Sequence, residues 1–270
     1  MSDETVISIA PGWHGRIAAH LPGDPSRIAE DLSTLLMSVT PPHDHDVLHR
    51  GRNLLYRGQL AGHEVVIKRF RCRGLYQGLL YRWRSSKAQR SFAHAQALLT
   101  AGFSTPLPWL FAERRRGRKL VDSVYISSWQ GGCHEIRALI GDIHHPERNG
   151  HLYRIGDMIG RLHEAGILHR DLTPGNVLIS GADQRWCYDL VDLNRMGFGP
   201  VDPGRGLRNL VGIDPGDTPG RLALIAGYCQ PRTIPHRLAI HQFWTLARRN
   251  ALRLRCKRRS RRWRHGIGKG

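Results

Sequence analysis

One segment of the chain combines a histidine, an arginine, an aspartate and an asparagine at a spacing that supports phosphoryl transfer. Residues 169–176 read His-Arg-Asp-Leu-Thr-Pro-Gly-Asn and fit the template H-R-D-L-x-x-x-N at every fixed position. In that template the aspartate, here Asp171, orients or accepts the proton of the acceptor hydroxyl, and the asparagine, here Asn176, binds a metal ion. The segment follows an amphipathic helical pattern and precedes an apolar run, as the template requires. The pattern therefore predicts Asp171 as the catalytic residue and Asn176 as a Mg²⁺ ligand.

A second carboxylate follows an apolar run further along the chain. Residues 190–195 read Leu-Val-Asp-Leu-Asn-Arg, and an aspartate that ends a hydrophobic strand is where kinases place their other Mg²⁺ ligand. Asp192 is the preferred candidate. Asp189 is the alternative, and an alternating strand would direct its side chain to the opposite face.

A lysine at the end of an apolar strand pattern is the third candidate. Lys68 ends Val-Val-Ile-Lys, close to the V-A-I-K strand whose lysine pairs with the α- and β-phosphates of a nucleotide. Kinases carry G-x-G-x-x-G before this strand, but residues 51–58 read Gly-Arg-Asn-Leu-Leu-Tyr-Arg-Gly. Arg52, Asn53 and the backbone amides of this segment are the expected phosphate contacts, and the cofactors predicted are ATP and Mg²⁺.

Strand patterns dominate the first half of the chain, and helical patterns dominate the second. Apolar runs at 53–58 and 64–70, joined by Ala-Gly, predict a hairpin. The order of elements predicts an α+β protein with a bilobal, protein-kinase-like fold, a small β-rich N-lobe and a helical C-lobe. The predicted segments are an N-terminal extension (1–44), the N-lobe (45–130), the C-lobe (131–250) and a basic C-terminal tail (251–270).

Positive charge is the most unusual property of the composition. The formal net charge is +19, and residues 248–270 contain eleven Lys or Arg and no acid. Such a charge indicates an anionic partner, and we expect an anionic membrane surface. We expect no nucleic acid, because the basic residues belong to no recognised reading motif. The five cysteines show no CxxC spacing, which favours a reducing compartment. The first residues are acidic and lack the apolar stretch of a signal peptide, so we expect a cytoplasmic location.

From about residue 49 to 212 the chain resembles the bacterial lipopolysaccharide core kinases, a group of Kdo and heptose kinases within the kinase-like superfamily. The segments that carry the resemblance are Val-Ile-Lys-Arg-Phe (66–70), Ser-Ser-Lys-Ala-Gln-Arg-Ser-Phe-Ala-His-Ala (85–95), Leu-Leu-Thr-Ala-Gly-Phe-Ser-Thr-Pro (98–106), His-Arg-Asp-Leu (169–172) and Val-Asp-Leu-Asn-Arg-Met (191–196). The resemblance implies an ATP-dependent kinase that phosphorylates a sugar hydroxyl of lipid-A-linked core oligosaccharide, peripheral to the inner membrane at its cytoplasmic face. It also implies Asp171 as the catalytic aspartate, Asn176 and Asp192 as Mg²⁺ ligands, and Lys68 as the nucleotide lysine.

Kinases pair the strand lysine with a helix glutamate, and the sequence has no counterpart to that residue. Residues 65–112 contain no Asp or Glu, and Ala93 stands where a glutamate often follows Arg-Ser-Phe in the resembling family. His94 and Gln96 are the nearest polar substitutes. We therefore expect Lys68 to be held by Gln96 or by the nucleotide rather than by a carboxylate.

Two other functions are alternatives to the sugar kinase. A small atypical protein kinase would use the same catalytic groups on a peptide, although Thr173 replaces the lysine usual in protein Ser/Thr kinases. A non-catalytic pseudokinase, acting as a basic membrane-binding scaffold, would explain the absent glutamate and glycine-rich loop. The complete set Asp171, Asn176 and Asp192 favours an enzyme.

Overall fold

A seven-stranded antiparallel sheet occupies the first half of the chain. The computed structural model describes residues 5–10, 12–38, 43, 46–51, 53–71, 85–182 and 185–266. The strands of this sheet are β1 (Thr5–Ala10), β2 (Trp13–Ile17), β3 (Val47–Arg50), β4 (Asn53–Leu60), β5 (His63–Arg71), β6 (Pro108–Arg116) and β7 (Lys119–Ser128). Their order across the sheet is β1–β2–β6–β7–β5–β4–β3. The strand that carries Lys68 therefore lies inside the sheet, with a neighbour on each side.

The hairpin predicted from the sequence is confirmed as β4–β5. Its two-residue turn consists of Ala61 and Gly62, both with positive φ, at 52° and 81°. Two such residues match the right-handed twist of the flanking strands. In the resulting register Lys68 lies opposite Leu55 on one side and Tyr125 of β7 on the other.

Within the described residues, one helix packs on each face of this sheet. Helix α1 (Pro25–Met37) begins at Asp24, whose side chain accepts hydrogen bonds from the backbone amides of Ser26 and Arg27. It buries Ile28, Leu32 and Leu36, spaced one turn apart, in a cluster with alternate strand residues such as Ile67 and Leu110. Helix α2 (Lys87–Thr100) packs Ala88 and Phe92 against the other face, in a cluster with Phe70 and Phe111.

The chain divides into two compact units. Unit 1 comprises Met1–Cys133 and Ser180–Arg195, and unit 2 comprises His134–Ile179 and Met196–Gly270. Strands β1 and β2 and helix α1, from the predicted N-terminal extension, belong to the first of these units. Strand β2 is paired along its whole length with β6. The domain boundaries predicted at residues 44, 130 and 250 remain predictions.

Helices dominate unit 2. They are α3 (Ile136–Gly141), α4 (Arg148–Glu164), α5 (Pro203–Leu210), α6 (Thr218–Arg232) and α7 (His236–Gly266). The described strands are β8 (His134–Glu135), β9 (Ile167–His169), β12 (Met196–Phe198) and the start of β10 (Val177–Ala182), whose remainder passes into unit 1 ahead of β11 (Arg185–Leu190). Short antiparallel pairings join β8 to β10 and β9 to β12. A β-rich first part and a helical second part confirm the α+β class.

Helices α4 and α6 form the centre of unit 2 because glycines let their backbones meet. A Cβ on Gly156 would lie 2.1 Å from the carbonyl oxygen of Leu224, and one on Gly227 would lie 1.9 Å from that of Tyr153. The face of α4 predicted to be apolar is fully buried, at Leu152, Ile155, Ile159 and Leu162. Of the helices in the described part of the chain, none has a stretch long and apolar enough to cross a membrane.

Several predicted bounds differ from the structure. Apolar residues recur at helical spacing over 75–99 and predict a helix there. The structure describes this segment only from residue 85 onward, and α2 begins at Lys87. A second helical pattern, over 238–255, predicts a late helix that ends at Arg255, whereas the last helix continues to Gly266. The hairpin β1–β2 was not predicted, because Pro and Gly interrupt the surrounding sequence and hide the strand pattern.

Candidate active site

Lys68 and Asp192 form an ion pair within unit 1. The Lys68 ammonium donates a hydrogen bond to Oδ1 of Asp192, and the side chains are 16% and 30% exposed. The expectation that Gln96 would hold this lysine in place of a carboxylate is wrong, because Asp192 does so. The helix after β5 contains no carboxylate, and the partner lies 124 residues away in sequence.

The backbone bends tightly at Asp192, two residues after the end of β11. Asp192 has a φ of 58°, in the left-handed region that Asp tolerates better than most residues. A 3₁₀ turn, Leu193–Arg195, follows directly. Within it the side-chain amide of Asn194 donates to Oδ1 of Asp192 at 2.6 Å. Two donors therefore fix the orientation of this carboxylate.

Helix α2 contacts the same turn through His94. The distance between Nδ1 of His94 and the backbone oxygen of Leu193 is 2.6 Å. Since a carbonyl oxygen only accepts, Nδ1 must carry the proton in this hydrogen bond. Ala93 is exposed. The helix that carries a lysine-pairing glutamate in kinases here holds the residue after Asp192 instead.

Asp189, the alternative metal ligand, has other partners. Its side chain is 2% exposed and accepts a hydrogen bond from the hydroxyl of Ser104. The thiol of Cys187 lies 3.9 Å from the same carboxylate oxygen. Asp189 is thus held in the interior of unit 1, whereas Asp192 contacts Lys68.

The segment 169–176 forms a loop between β9 and β10 in unit 2. His169 is fully buried and its Nδ1 accepts from the backbone amide of Asp171 at 3.3 Å. The side-chain amide nitrogen of Asn176 donates to the backbone oxygen of Asp171 at 2.7 Å. This bond turns Asn176 back toward the aspartate and uses its donor, so that its amide oxygen is the atom left to act as a ligand.

A chain of buried hydrogen bonds supports this loop from below. The side chain of Asn209 donates to the backbone oxygen of His169 at 2.9 Å, and its Oδ1 lies 3.1 Å from Nε2 of His163. Nδ1 of His163 lies 2.9 Å from the hydroxyl of Tyr228, which accepts from Arg232 at 2.7 Å. Because Oδ1 of Asn209 only accepts, Nε2 of His163 carries a proton; when the imidazole is neutral, Nδ1 accepts from the Tyr228 hydroxyl.

Burial lowers the pKa of His163 to about 4, an effect that the cations Arg232 and Arg205 reinforce and the hydrogen bond to Asn209 opposes. Burial also raises the pKa of Tyr228 to about 12. Both groups are therefore neutral near pH 7, as the chain of bonds requires. The sequence contains one signal for these groups, namely a histidine that directly follows the last apolar residue of the buried face of α4.

The predicted nucleotide contacts at the start of β4 are only partly described. Arg52 lies outside the described residues. Asn53 begins β4, is half-buried and lies opposite Phe70, two positions along the strand from the Leu55–Lys68 pair. Its contact with phosphate remains a prediction.

The donor atoms fit a magnesium ion of the kind that is shared with phosphates. Within the described residues no three His, Cys, Asp or Glu side chains cluster as a protein-enclosed metal site would require. Mg²⁺ is commonly held by one or two carboxylates, completed by waters and by the phosphates of a nucleotide. The carboxylate of Asp192 in unit 1 and the amide of Asn176 in unit 2 each offer an oxygen of the type that this ion prefers, and their binding of one ion remains a prediction.

A β-rich unit with a strand lysine bound to an aspartate, and a helical unit with a His-Arg-Asp loop, define a kinase-like protein. The chain belongs to the lipopolysaccharide kinase (Kdo/WaaP) family, whose model matches residues 37–198. The resemblance identified from the sequence is thereby confirmed.

Individual relatives are distant and longer than the matched region. A 3-deoxy-D-manno-octulosonic acid kinase of Xylella fastidiosa is 27% identical over 151 residues, which are 54% of this chain and 59% of that protein. A probable bifunctional tRNA threonylcarbamoyladenosine biosynthesis protein of Methanothermobacter thermautotrophicus is 30% identical over 148 residues, 51% of this chain and 24% of that protein. The chain thus matches less than two thirds of the length of these relatives.

A solved structure shares the fold. It is described as WaaP in complex with acyl carrier protein, and it superposes with a TM-score of 0.58 at 17% identity. The match covers 87% of this chain and 98% of that one. It therefore extends well beyond the segment matched by the family model.

Proposed function

We propose that the protein is an ATP-dependent kinase that phosphorylates a hydroxyl of a lipopolysaccharide core sugar, either Kdo or a heptose. The ion pair between Lys68 and Asp192 carries this proposal. Folding brings together the two residues to which the kinase template assigns the nucleotide phosphates and the metal, although 124 residues separate them. Family membership supports the sugar acceptor.

In the proposed reaction the acceptor oxygen forms a bond to the γ-phosphorus of ATP. The bond between that phosphorus and the β–γ bridging oxygen breaks, and ADP leaves with the electron pair. Asp171 receives or orients the proton of the acceptor hydroxyl, and Lys68 pairs with the α- and β-phosphates. Asp192 and Asn176 would hold Mg²⁺, which neutralises charge on the phosphates. Arg52 and Asn53 are the further proposed phosphate contacts.

We place the acceptor in lipid-A-linked core oligosaccharide and the enzyme at the cytoplasmic face of the inner membrane, bound peripherally. The relatives named as Kdo kinases support a sugar acid as acceptor. The eleven Lys and Arg of residues 248–270 support an anionic membrane surface as the place of reaction.

The test is a transfer assay with the purified full-length chain, ATP and Mg²⁺. Acceptors are lipid A carrying Kdo alone and lipid A carrying Kdo and heptose, and the product is identified by the mass of one added phosphate. Asp171→Asn should lower turnover by roughly 10²–10⁴-fold, because general-base catalysis contributes about that much, and should leave ATP binding intact. Asp192→Asn should instead weaken Mg²⁺-dependent ATP binding.

Three results would contradict the proposal in different ways. Near wild-type turnover of Asp171→Asn would exclude this residue as the catalytic group. Phosphate on protein but on neither lipid would indicate the atypical protein kinase. Transfer to no acceptor, with vesicle binding intact, would indicate the pseudokinase scaffold.

A further inference from the structure

A pocket of about 210 Å³ opens beside the catalytic aspartate in unit 2. Asp171 and Arg170 of the catalytic loop form one wall, Arg208 near the end of α5 forms a second, and Leu246 and Asn250 of α7 form a third. The pocket thus lies within unit 2, beside the residue proposed to act on the acceptor hydroxyl.

Two guanidinium groups in this pocket lack a counter-ion. Arg170 and Arg208 are both exposed, and neither forms an ion pair or hydrogen bond with any residue that the structure describes. In contrast, Arg148, Arg221 and Arg232 of the same unit each bind a carboxylate. Among the described residues that line the pocket, Asp171 is the only acid. The pocket therefore has an excess of positive charge next to the group that would receive the acceptor proton.

The polar atoms of the pocket differ in whether they are already engaged. Asn209 also lines the wall, but both ends of its amide are bonded within unit 2, to His169 and to His163. Asn250, one turn beyond Leu246, makes no hydrogen bond through its side chain to the described residues. Asn209 therefore builds the wall, and Asn250 remains able to bind a ligand.

A glycine in the pocket wall lets the segment after α5 approach the backbone of the 169–176 loop. A Cβ on Gly212, which also lines the pocket, would lie 2.0 Å from the carbonyl oxygen of Leu172. The segment after α5 thus lies directly against the catalytic loop. This contact holds the end of α5, and with it Arg208, at a fixed place relative to Asp171.

We propose that this pocket binds the anionic group of the acceptor sugar, a carboxylate or a phosphate, through Arg208 and Arg170, with Asn250 donating to a neighbouring oxygen. The inference rests on the proposed function and deepens it by naming the recognised group. A guanidinium binds either anion through two parallel hydrogen bonds, which fixes orientation as well as position. A sugar held in this way presents a ring hydroxyl to Asp171, whereas a neutral sugar leaves both cations without a partner.

The test measures acceptor binding without ATP, so that it does not depend on turnover. The probes are Kdo, its methyl ester, a neutral heptose and the same heptose carrying a phosphate, each titrated by NMR into the full-length chain. We expect either Kdo or the phosphorylated heptose to bind at least about tenfold more tightly than its uncharged counterpart. Arg208→Gln should remove that preference, and Arg208→Lys should restore only part of it.

Arg249→Gln is the matched control. Arg249 is exposed on α7 beside Asn250, does not line the pocket, and its replacement changes the net charge by the same amount. Equal affinity for the acid and its ester, or an equal loss in both variants, would overturn the proposal. Failure of the proposed function would appear separately, as a wild-type chain that binds the charged probe but transfers phosphate to neither lipid.

Discussion

In the proposed reaction Lys68 and Asp192 have different partners, yet in the described structure they bind each other. Lys68 would contact the nucleotide phosphates, and Asp192 would contact the metal. Their mutual ion pair neutralises both charges in a setting where each side chain is largely shielded from water. The pair therefore stabilises the folded chain before any ligand binds, and removing one partner leaves the other charge partly buried.

A thermodynamic cycle should detect this ion pair. We expect Lys68→Met and Asp192→Asn each to lower the free energy of unfolding, and the double variant to lose less than the sum. The coupling should be about 1 kcal/mol, since contacting charged residues commonly couple by that order. Urea unfolding of the four proteins at one pH measures it.

A second double-mutant cycle serves as the control, and it combines Lys68→Met with Asp189→Asn instead of Asp192→Asn. The Asp189 carboxylate accepts from Ser104 rather than from Lys68. Coupling to Lys68 should therefore be close to zero in this second cycle. Equal coupling in both cycles would mean that the measured value reflects general charge and not the ion pair.

At the scale of elements, α2 makes a different contact from the corresponding kinase helix, whose glutamate pairs with the strand lysine. It holds the carbonyl of Leu193 through His94, and the neighbouring Asp192 then reaches Lys68. His94 is thus a positioning residue for the Asp-Leu-Asn segment. The structure links the helix, the turn and the strand lysine without a helix carboxylate.

Replacing His94 should weaken the use of magnesium more than it weakens folding. His94→Ala leaves the Leu193 carbonyl without its donor, and we expect the Mg²⁺ concentration for half-maximal activity to rise about tenfold. His94→Asn places an amide donor where Nδ1 lies and should restore most of the wild-type value. The measurement is a Mg²⁺ titration of turnover at saturating ATP.

Gln96→Ala is the control on the same helix. Gln96 is half-buried and forms no hydrogen bond through its side chain with the described residues. Its replacement should leave the Mg²⁺ titration unchanged. If His94→Ala behaved like Gln96→Ala, the contact with Leu193 would have no role in positioning Asp192.

The buried bonds that join α4, α5 and α6 beneath the catalytic loop should make stability depend on pH. His163 has a pKa of about 4 in the folded chain and an ordinary value of 6.5 when exposed. Between these values the unfolded chain binds a proton that the folded chain does not. The stabilisation is therefore complete above about pH 6.5, falls as the pH is lowered, and is lost through pH 4; at pH 5 the loss is about 2 kcal/mol.

Urea unfolding at pH 7.5 and pH 5 tests this dependence. His163→Gln should reduce the difference in unfolding free energy between the two pH values by about 2 kcal/mol. His144→Gln replaces an exposed histidine and should leave the difference unchanged. An unaltered pH dependence in His163→Gln would show that another group is responsible.

At the scale of the whole molecule, the helix that contributes to the pocket wall also carries most of the basic residues at the end of the chain. Helix α7 contributes Leu246 and Asn250 to the pocket wall and then continues to Gly266. At 1.5 Å per residue, the helix runs about 24 Å beyond Asn250. Nine of the eleven basic residues of 248–270 follow Asn250. A membrane contact along this segment and an acceptor in the pocket would thus share one rigid element.

Membrane binding should depend on charge and on this segment. We expect the chain to sediment with anionic vesicles but not with neutral ones, and the bound fraction to fall as salt is added. Deleting residues 253–270 should weaken binding strongly, since each engaged cation contributes roughly 1 kcal/mol. Residues 73–87 combine basic residues with apolar and aromatic ones, as an interfacial helix would. Most of this segment lies outside the described residues, and its membrane contact remains a prediction.

Two double variants of equal charge serve as controls for the vesicle assay. Arg258→Gln with Arg259→Gln should reduce binding, whereas Arg116→Gln with Arg118→Gln should not. Arg116 is the exposed last residue of β6, and Arg118 lies in the turn that follows. Equal losses would indicate that net charge alone attracts the chain. Equal binding to neutral and anionic vesicles would contradict the membrane proposal.

The sequence by itself determined the features that contiguous residues encode. The match of residues 169–176 to the kinase template was visible because the template occupies eight consecutive positions, and the catalytic role of Asp171 remains a prediction. The β4–β5 hairpin was predictable because an alternating pattern and a two-residue turn are local. The buried face of α4 followed from helical spacing alone. These features depend on short-range geometry, which periodicity records directly.

Only the tertiary structure decided which of these residues meet. The partner of Lys68 is 124 residues away, that of His94 is 99 away, and the pocket beside Asp171 draws on a loop and two later helices. Such contacts depend on how α2 packs on the sheet and how α5 and α7 pack on the catalytic loop. No local sequence pattern encodes that packing. The apolar residues of a helix recur with the same spacing whichever element the helix packs against, so the spacing does not identify the partner. The carboxylate that holds the strand lysine therefore lies after β11 rather than on α2, and only the packing of the chain brings the two residues together.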